Sequence, residues 1–131
     1  MSRFALAALM LTACASGAPP ASSVNERAAA RLAEFDQTGE AQDCLTRGFE
    51  TIVAVDEARL LVRANFDDYY LNTPDPLCEG AHWFGAQLAH ESEGPGACKG
   101  DPVRVVDSRS GLPIGRCALG AFYRLAPKAA E

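Results

Sequence analysis

The sequence predicts a mainly β protein, a small antiparallel barrel or sandwich of about six strands with one N-terminal helix and two disulfides. Apolar and polar residues alternate at period two in RLLVRANF (59–66) and HWFGAQLAH (82–90), the spacing of half-buried strands. From Cys44 onward about six such short runs follow one another with no long helix between them. An even set of four cysteines is spread over the same stretch, and a core this small usually needs covalent staples.

The chain opens with one positive charge at Arg3, then the apolar run FALAALML, then small residues before Cys14. These are the parts of a secretory signal, expected to occupy 1–13. As a helix, Phe4 to Ala13 would span about 15 Å, half a hydrocarbon core, so this run is not read as a membrane anchor. The stretch LTAC (Leu11 to Cys14) resembles the bacterial lipobox, whose cysteine receives a diacylglyceryl group and becomes the first mature residue. Cysteine arithmetic agrees: five cysteines leave one unpaired, and assigning Cys14 to the lipid leaves Cys44, Cys78, Cys98 and Cys117. Ala15 follows Cys14, and by resemblance to Gram-negative sorting rules that implies the periplasmic face of the outer membrane. The mature chain of 118 residues is enough for one domain. Loss of Arg3 takes its formal charge from −5 to −6, which argues against nucleic acid and against charge-driven binding to anionic lipid.

Residues 14–23 then read as the lipidated cysteine and a flexible tether, ASGAPPASS, reaching about 30 Å when extended. In the next segment, 24–39, Ser23 and Glu26 have capping-box spacing and Gly39 sits where a helix can end. Val24, Ala28, Leu32 and Phe35 share one stripe, so a helix from about 24 to 36 is expected to pack on the domain. The β domain is expected over 41–126. Phe49 to Val55 and RLLVRANF form a hairpin about Asp56-Glu57, with Leu60, Val62, Ala64 and Phe66 on one face. Asp67-Asp68 turns into Tyr69 to Asn72. After the break TPDP come HWFGAQLAH, Val103 to Val106, the turn DSRSGLP, and a last run from Ile114 to Leu125. The four cysteines allow three pairings. The nested one, Cys44–Cys117 with Cys78–Cys98, is expected because it ties the first strand to the last and closes a Gly-rich loop, each link contributing about 3–4 kcal/mol.

Signs of chemistry are sparse. The cysteines lie too far apart for a C-x-x-C redox pair or a zinc knuckle. In one straight strand His82 and His90 would stand about 27 Å apart, too far to share a metal, and both read as solvated. GPGACKGD (94–101) lacks the spacing and the Ser or Thr of a phosphate loop. Asp67 and Asp68 face opposite sides of an extended chain, and no G-x-S-x-G occurs. No catalytic residue, metal ligand or cofactor is therefore expected. The adjacent aromatics are the most distinctive feature, because within each pair one ring must face outward. Tyr69, Tyr70 and Trp83, flanked by Arg47 and Arg63, make up the candidate binding surface.

The pieces DCL (43–45), YLN (70–72), Cys78-x-Gly80, CKGD (98–101) and CALGAF (117–122) together resemble a family of small envelope lipoproteins of Gram-negative bacteria, a domain of unknown function. The resemblance implies a lipid anchor and paired cysteines, and it carries no activity. The expected function is a non-enzymatic, lipid-anchored binding or structural module of the envelope, with an envelope protein or glycan as partner. The alternatives are an inhibitor of a basic cell-wall hydrolase, by analogy of architecture and charge alone, and an envelope hydrolase.

Overall fold

A computed structural model of the chain describes residues 24–129. The leader 1–13, Cys14 and the tether through Ser23 lie outside the described residues. Mainly β architecture is what forms: among the described residues there are ten strands, where about six were expected, in three antiparallel sheets, none closing into a barrel. A short helix, α1 (Glu26–Leu32), precedes β1 (Phe35–Gln42), β2 (Cys44–Leu45), β3 (Thr51–Asp56), β4 (Arg59–Arg63) and β5 (Tyr69–Asn72). There follow β6 (Ala86–His90), β7 (Ala97–Cys98), β8 (Pro102–Asp107), β9 (Pro113–Ala118) and β10 (Phe122–Pro127).

The five-stranded sheet has the order β1-β10-β5-β4-β3, the three-stranded sheet β6-β8-β9, and β2 pairs with β7. One face of the large sheet presents Ala54, Leu60, Val62, Tyr70 and Phe122, which pack with Val103, Val105 and Cys117 of the three-stranded sheet. The opposite face presents Val55, Leu61, Tyr69, Leu71 and Leu125, which pack under α1. Covering on both faces explains why Leu60, Leu61 and Val62 are all buried, although alternation suggested a half-exposed strand. Phe66, expected on the inner face, lies beyond the end of β4 and is exposed.

The expected helix is cut short. Its cap is Asn25, whose Oδ1 accepts the Ala28 N–H at 3.2 Å. Leu32 is its last residue, and Glu34 already accepts a bond from the Lys128 N–H as Phe35 begins pairing with β10 opposite Pro127. Sheet pairing across the whole chain length overrides local helix propensity at this point. The apolar stripe nonetheless holds together: Val24, Ala28, Leu32 and Phe35 all pack on the same face, the last from a strand. Gly39 (φ +79°) sits in the irregular stretch of β1, where the register shifts between Gln37 and Ala41, and ends no helix. The long last run divides into β9 and β10 at Leu119-Gly120-Ala121.

The cysteines form two disulfides, but Cys44 bonds Cys98 and Cys78 bonds Cys117, correcting the nested pairing. Register decides it. Cys44 and Cys98 stand directly opposite each other in the β2–β7 pair. The Lys99 N–H bonds the Asp43 carbonyl next to them, so the cysteines occupy the narrow, non-hydrogen-bonded site of the ladder. Cys78 follows the large sheet and Cys117 ends in the small one, which staples the two layers.

Two of the sequence motifs meet at the sheet's end. Asn72 is fully buried, donates to the Gly120 carbonyl at 2.8 Å and accepts the Gly120 N–H at 2.9 Å. A Cβ at Gly120 would overlap the Thr73 carbonyl oxygen, so no side chain fits there.

Candidate functional site

β3 ends the five-stranded sheet and β6 ends the three-stranded one, and a cleft of about 1080 Å³ lies along them. Its walls are the run Phe49–Ala54, the start of α1 with Val24 and Asn25, and the segment Ala81–Leu88. That volume is at the upper end of small-molecule pockets. Ile52, Ala86 and Leu88 pack their inner sides against the core, which makes the cleft floor apolar. Trp83, Phe84 and Val53 line it with 57 %, 93 % and 41 % of their surface exposed.

The segment carrying Trp83 and Phe84 is rigidly rooted. Cys78 is held by its disulfide and donates its N–H to the Glu57 carbonyl at 2.9 Å. Glu57 Oε1 accepts the Gly80 N–H at 3.1 Å and stands 3.6 Å from His82 Nδ1. Gly80 takes φ +75°, and a Cβ there would collide with Ile114 Cγ2 and crowd the Trp83 ring. The glycine therefore lets the chain turn tightly under Trp83 and lift Phe84 into solvent, where Arg109 lies 5.4 Å above its ring.

Both histidines depart from the solvated reading. The side chains of His82 and His90 are 10 % and 15 % exposed, and each faces a carboxylate. His90 Nε2 lies 2.9 Å from Asp101 Oδ2, which also accepts the Cys98 N–H at 2.8 Å. Asp101 of CKGD thus closes its own turn and ties it to β6. In sequence Glu57 reads as a hairpin-turn residue and Asp101 as part of the CKGD stretch, because each finds its histidine only through tertiary folding. Among the described residues, no group of three or more His, Cys, Asp or Glu stands close enough to hold a metal ion.

The candidate surface named from sequence is only partly assembled. Trp83 lines the cleft, while Tyr69 and Tyr70 are each only 8 % exposed, so neither is an outward ring. Tyr70 packs edge-on to Phe122 in the inner core. Tyr69 lies in the core under α1, against Phe35, and its hydroxyl accepts from Arg31 at 2.9 Å. That hydrogen bond, followed by the charge interactions with Tyr69 and Glu34, raises the pKa of the Arg31 guanidinium. Both tyrosines are internal because the large sheet is covered on both faces, which alternation within one strand does not reveal. Arg63 pairs with Glu50 on the cleft wall at 3.1 Å and lies under the Phe66 ring. Arg47 belongs to a separate cavity of about 320 Å³ with Phe49 and His90. Phe84 and Val53 were missed, although Phe84 is adjacent to Trp83 in a run that needed one ring outside.

No protein-family model, curated protein or solved structure matches the chain.

Proposed function

We propose that the chain is a non-enzymatic binding module of the Gram-negative envelope, lipid-anchored through Cys14 at the periplasmic face of the outer membrane. It takes another envelope component in the cleft between β3 and the Trp83 segment. The observation that carries this reading is the gathering of two exposed aromatic rings and an open sheet edge on one rigidly rooted cleft. Large apolar rings held outward at such a site mark binding surfaces. Two disulfides suit an oxidising compartment outside the cytoplasm. The lipobox and the resemblance to small envelope lipoproteins support the same address. Val24 and Asn25 line the cleft, so a nine-residue tether from Cys14 keeps it within about 30 Å of the lipid surface.

A pull-down from envelope extract tests the reading, using a form in which a soluble leader replaces the acyl chains. A stoichiometric partner lost with Trp83→Ala supports it. Turnover of cell-wall fragments by the purified protein would support a hydrolase instead. The inhibitor alternative draws on the projecting Phe84 tip and the formal charge of −5, and inhibition of lysozyme by the purified protein would favour it.

A further inference from the structure

We propose that the outer edge of β3 is a docking strand, to which an extended, net-basic polypeptide segment adds as a sixth strand of the large sheet. This rests on the binding-module reading and names its partner class. The direction of the backbone groups is the first support. The Ala64 N–H donates to the Asp68 carbonyl at 2.9 Å, in step with the β4–β5 register. Even-numbered residues of β4 therefore bond towards β5 and odd-numbered ones towards β3. Thr51 stands opposite Arg63 and Val53 opposite Leu61, so these two bond inward. Ile52 and Ala54 consequently aim their N–H and C=O groups at the outer edge. Among the described residues, no group outside the ladder hydrogen-bonds either backbone. Just beyond them the Val55 carbonyl accepts the Asn25 N–H at 2.7 Å, so chain running beside this edge is already within bonding reach at one end.

The chemistry of the edge selects the occupant. Donors and acceptors that recur every second residue match a peptide backbone, and neither a glycan nor an acyl chain has that repeat. Every second side chain of the added strand would face the apolar floor formed by Ile52, Ala86 and Leu88. The chain's formal charge of −5 favours a basic partner and speeds its arrival through long-range attraction. On the cleft wall itself Glu26 adjoins Arg27 and Glu50 is paired with Arg63.

Trp83 is the chain's single tryptophan and lines the cleft, so its emission reports occupancy directly. Random eight-residue peptides are selected against the full-length protein, and the binders are resynthesised with N-methyl groups on odd or on even amides. Expected is a saturable shift of Trp83 emission by lysine- or arginine-bearing peptides. One methylation phase should weaken binding about tenfold or more, the loss of one or two backbone hydrogen bonds, and the other phase far less. Ile52→Pro, which removes an outward N–H and leaves the inner ladder intact, should weaken binding similarly. If that variant fails to fold, the methylated peptides on the native chain decide alone. Equal effects of both phases, or no selectable peptide, overturn the proposal. A peptide failure alongside a Trp83-dependent envelope partner leaves the binding-module reading standing. A dimer in sedimentation that Ile52→Pro dissociates assigns the edge to a second copy and also overturns it.

Discussion

β1 and β3 close the same five-stranded sheet on opposite sides, and they meet solvent in different ways. β1, FDQTGEAQ, is exposed along seven of its eight residues and carries Asp36 and Glu40. Its pairing with β10 shifts register around Gly39, and Thr38 donates its hydroxyl to the Arg124 carbonyl in the irregular stretch. A bulged, charged edge resists further strands. β3, TIVAVD, holds an unbroken register from Thr51 to Ala54 and offers β-branched side chains with no charge before Asp56. Bulge and charge guard one edge along its length. On β3 the register shifts only at the end, between Ala54 and Asp56, where the Val55 carbonyl accepts the Asn25 N–H, and the cleft walls screen the rest. The two edges of one sheet thus differ in protection, and the less guarded one coincides with the exposed aromatics.

The largest expected effect falls on the sheet that both edges share. Gly120→Ala would push the Thr73 carbonyl away and break the buried Asn72 pairing, costing about 3 kcal/mol or more. Urea unfolding checks it, and a cost below about 1 kcal/mol would show that the sheet's end can shift to make room.

Truncation of one side chain on each edge strand then separates the two directly. Ile52→Ala removes a half-buried side chain packed on the inner core and should cost about 2 kcal/mol, whereas Thr38→Ala on exposed β1 should cost about 0.5 kcal/mol or less. Equal costs in thermal melts would erase the contrast between the edges.

The smallest effect on stability is the most telling for association. Val53→Lys charges the exposed part of β3 and should change stability by roughly 0.5 kcal/mol, yet it should abolish peptide capture and any self-association. In the other direction, deleting Thr38 and Gly39 together removes the two residues by which β1 exceeds β10 between Gln37 and Ala41, straightens β1 and should raise light scattering on concentration. If scattering stays flat, the bulge is not what protects that edge.

The hairpin about Asp56-Glu57, the turn before Tyr69 and the strand over Val103 to Val106 were legible because each depends on neighbours in sequence. The chain's own residues also established the mainly β class, the even cysteine set and the apolar stripe of Val24, Ala28, Leu32 and Phe35, since period and composition are local properties. Tertiary structure alone decided where α1 stops, because β10 takes Phe35 into a sheet from the far end of the chain. It alone chose the cysteine partners, through the register of β2 on β7, and it buried Tyr69 and Tyr70 by covering both faces of one sheet. The cleft belongs to that second group as well: Trp83 and Phe84 meet the edge of β3 only after two sheets pack together, and no spacing along the chain encodes a distance between layers.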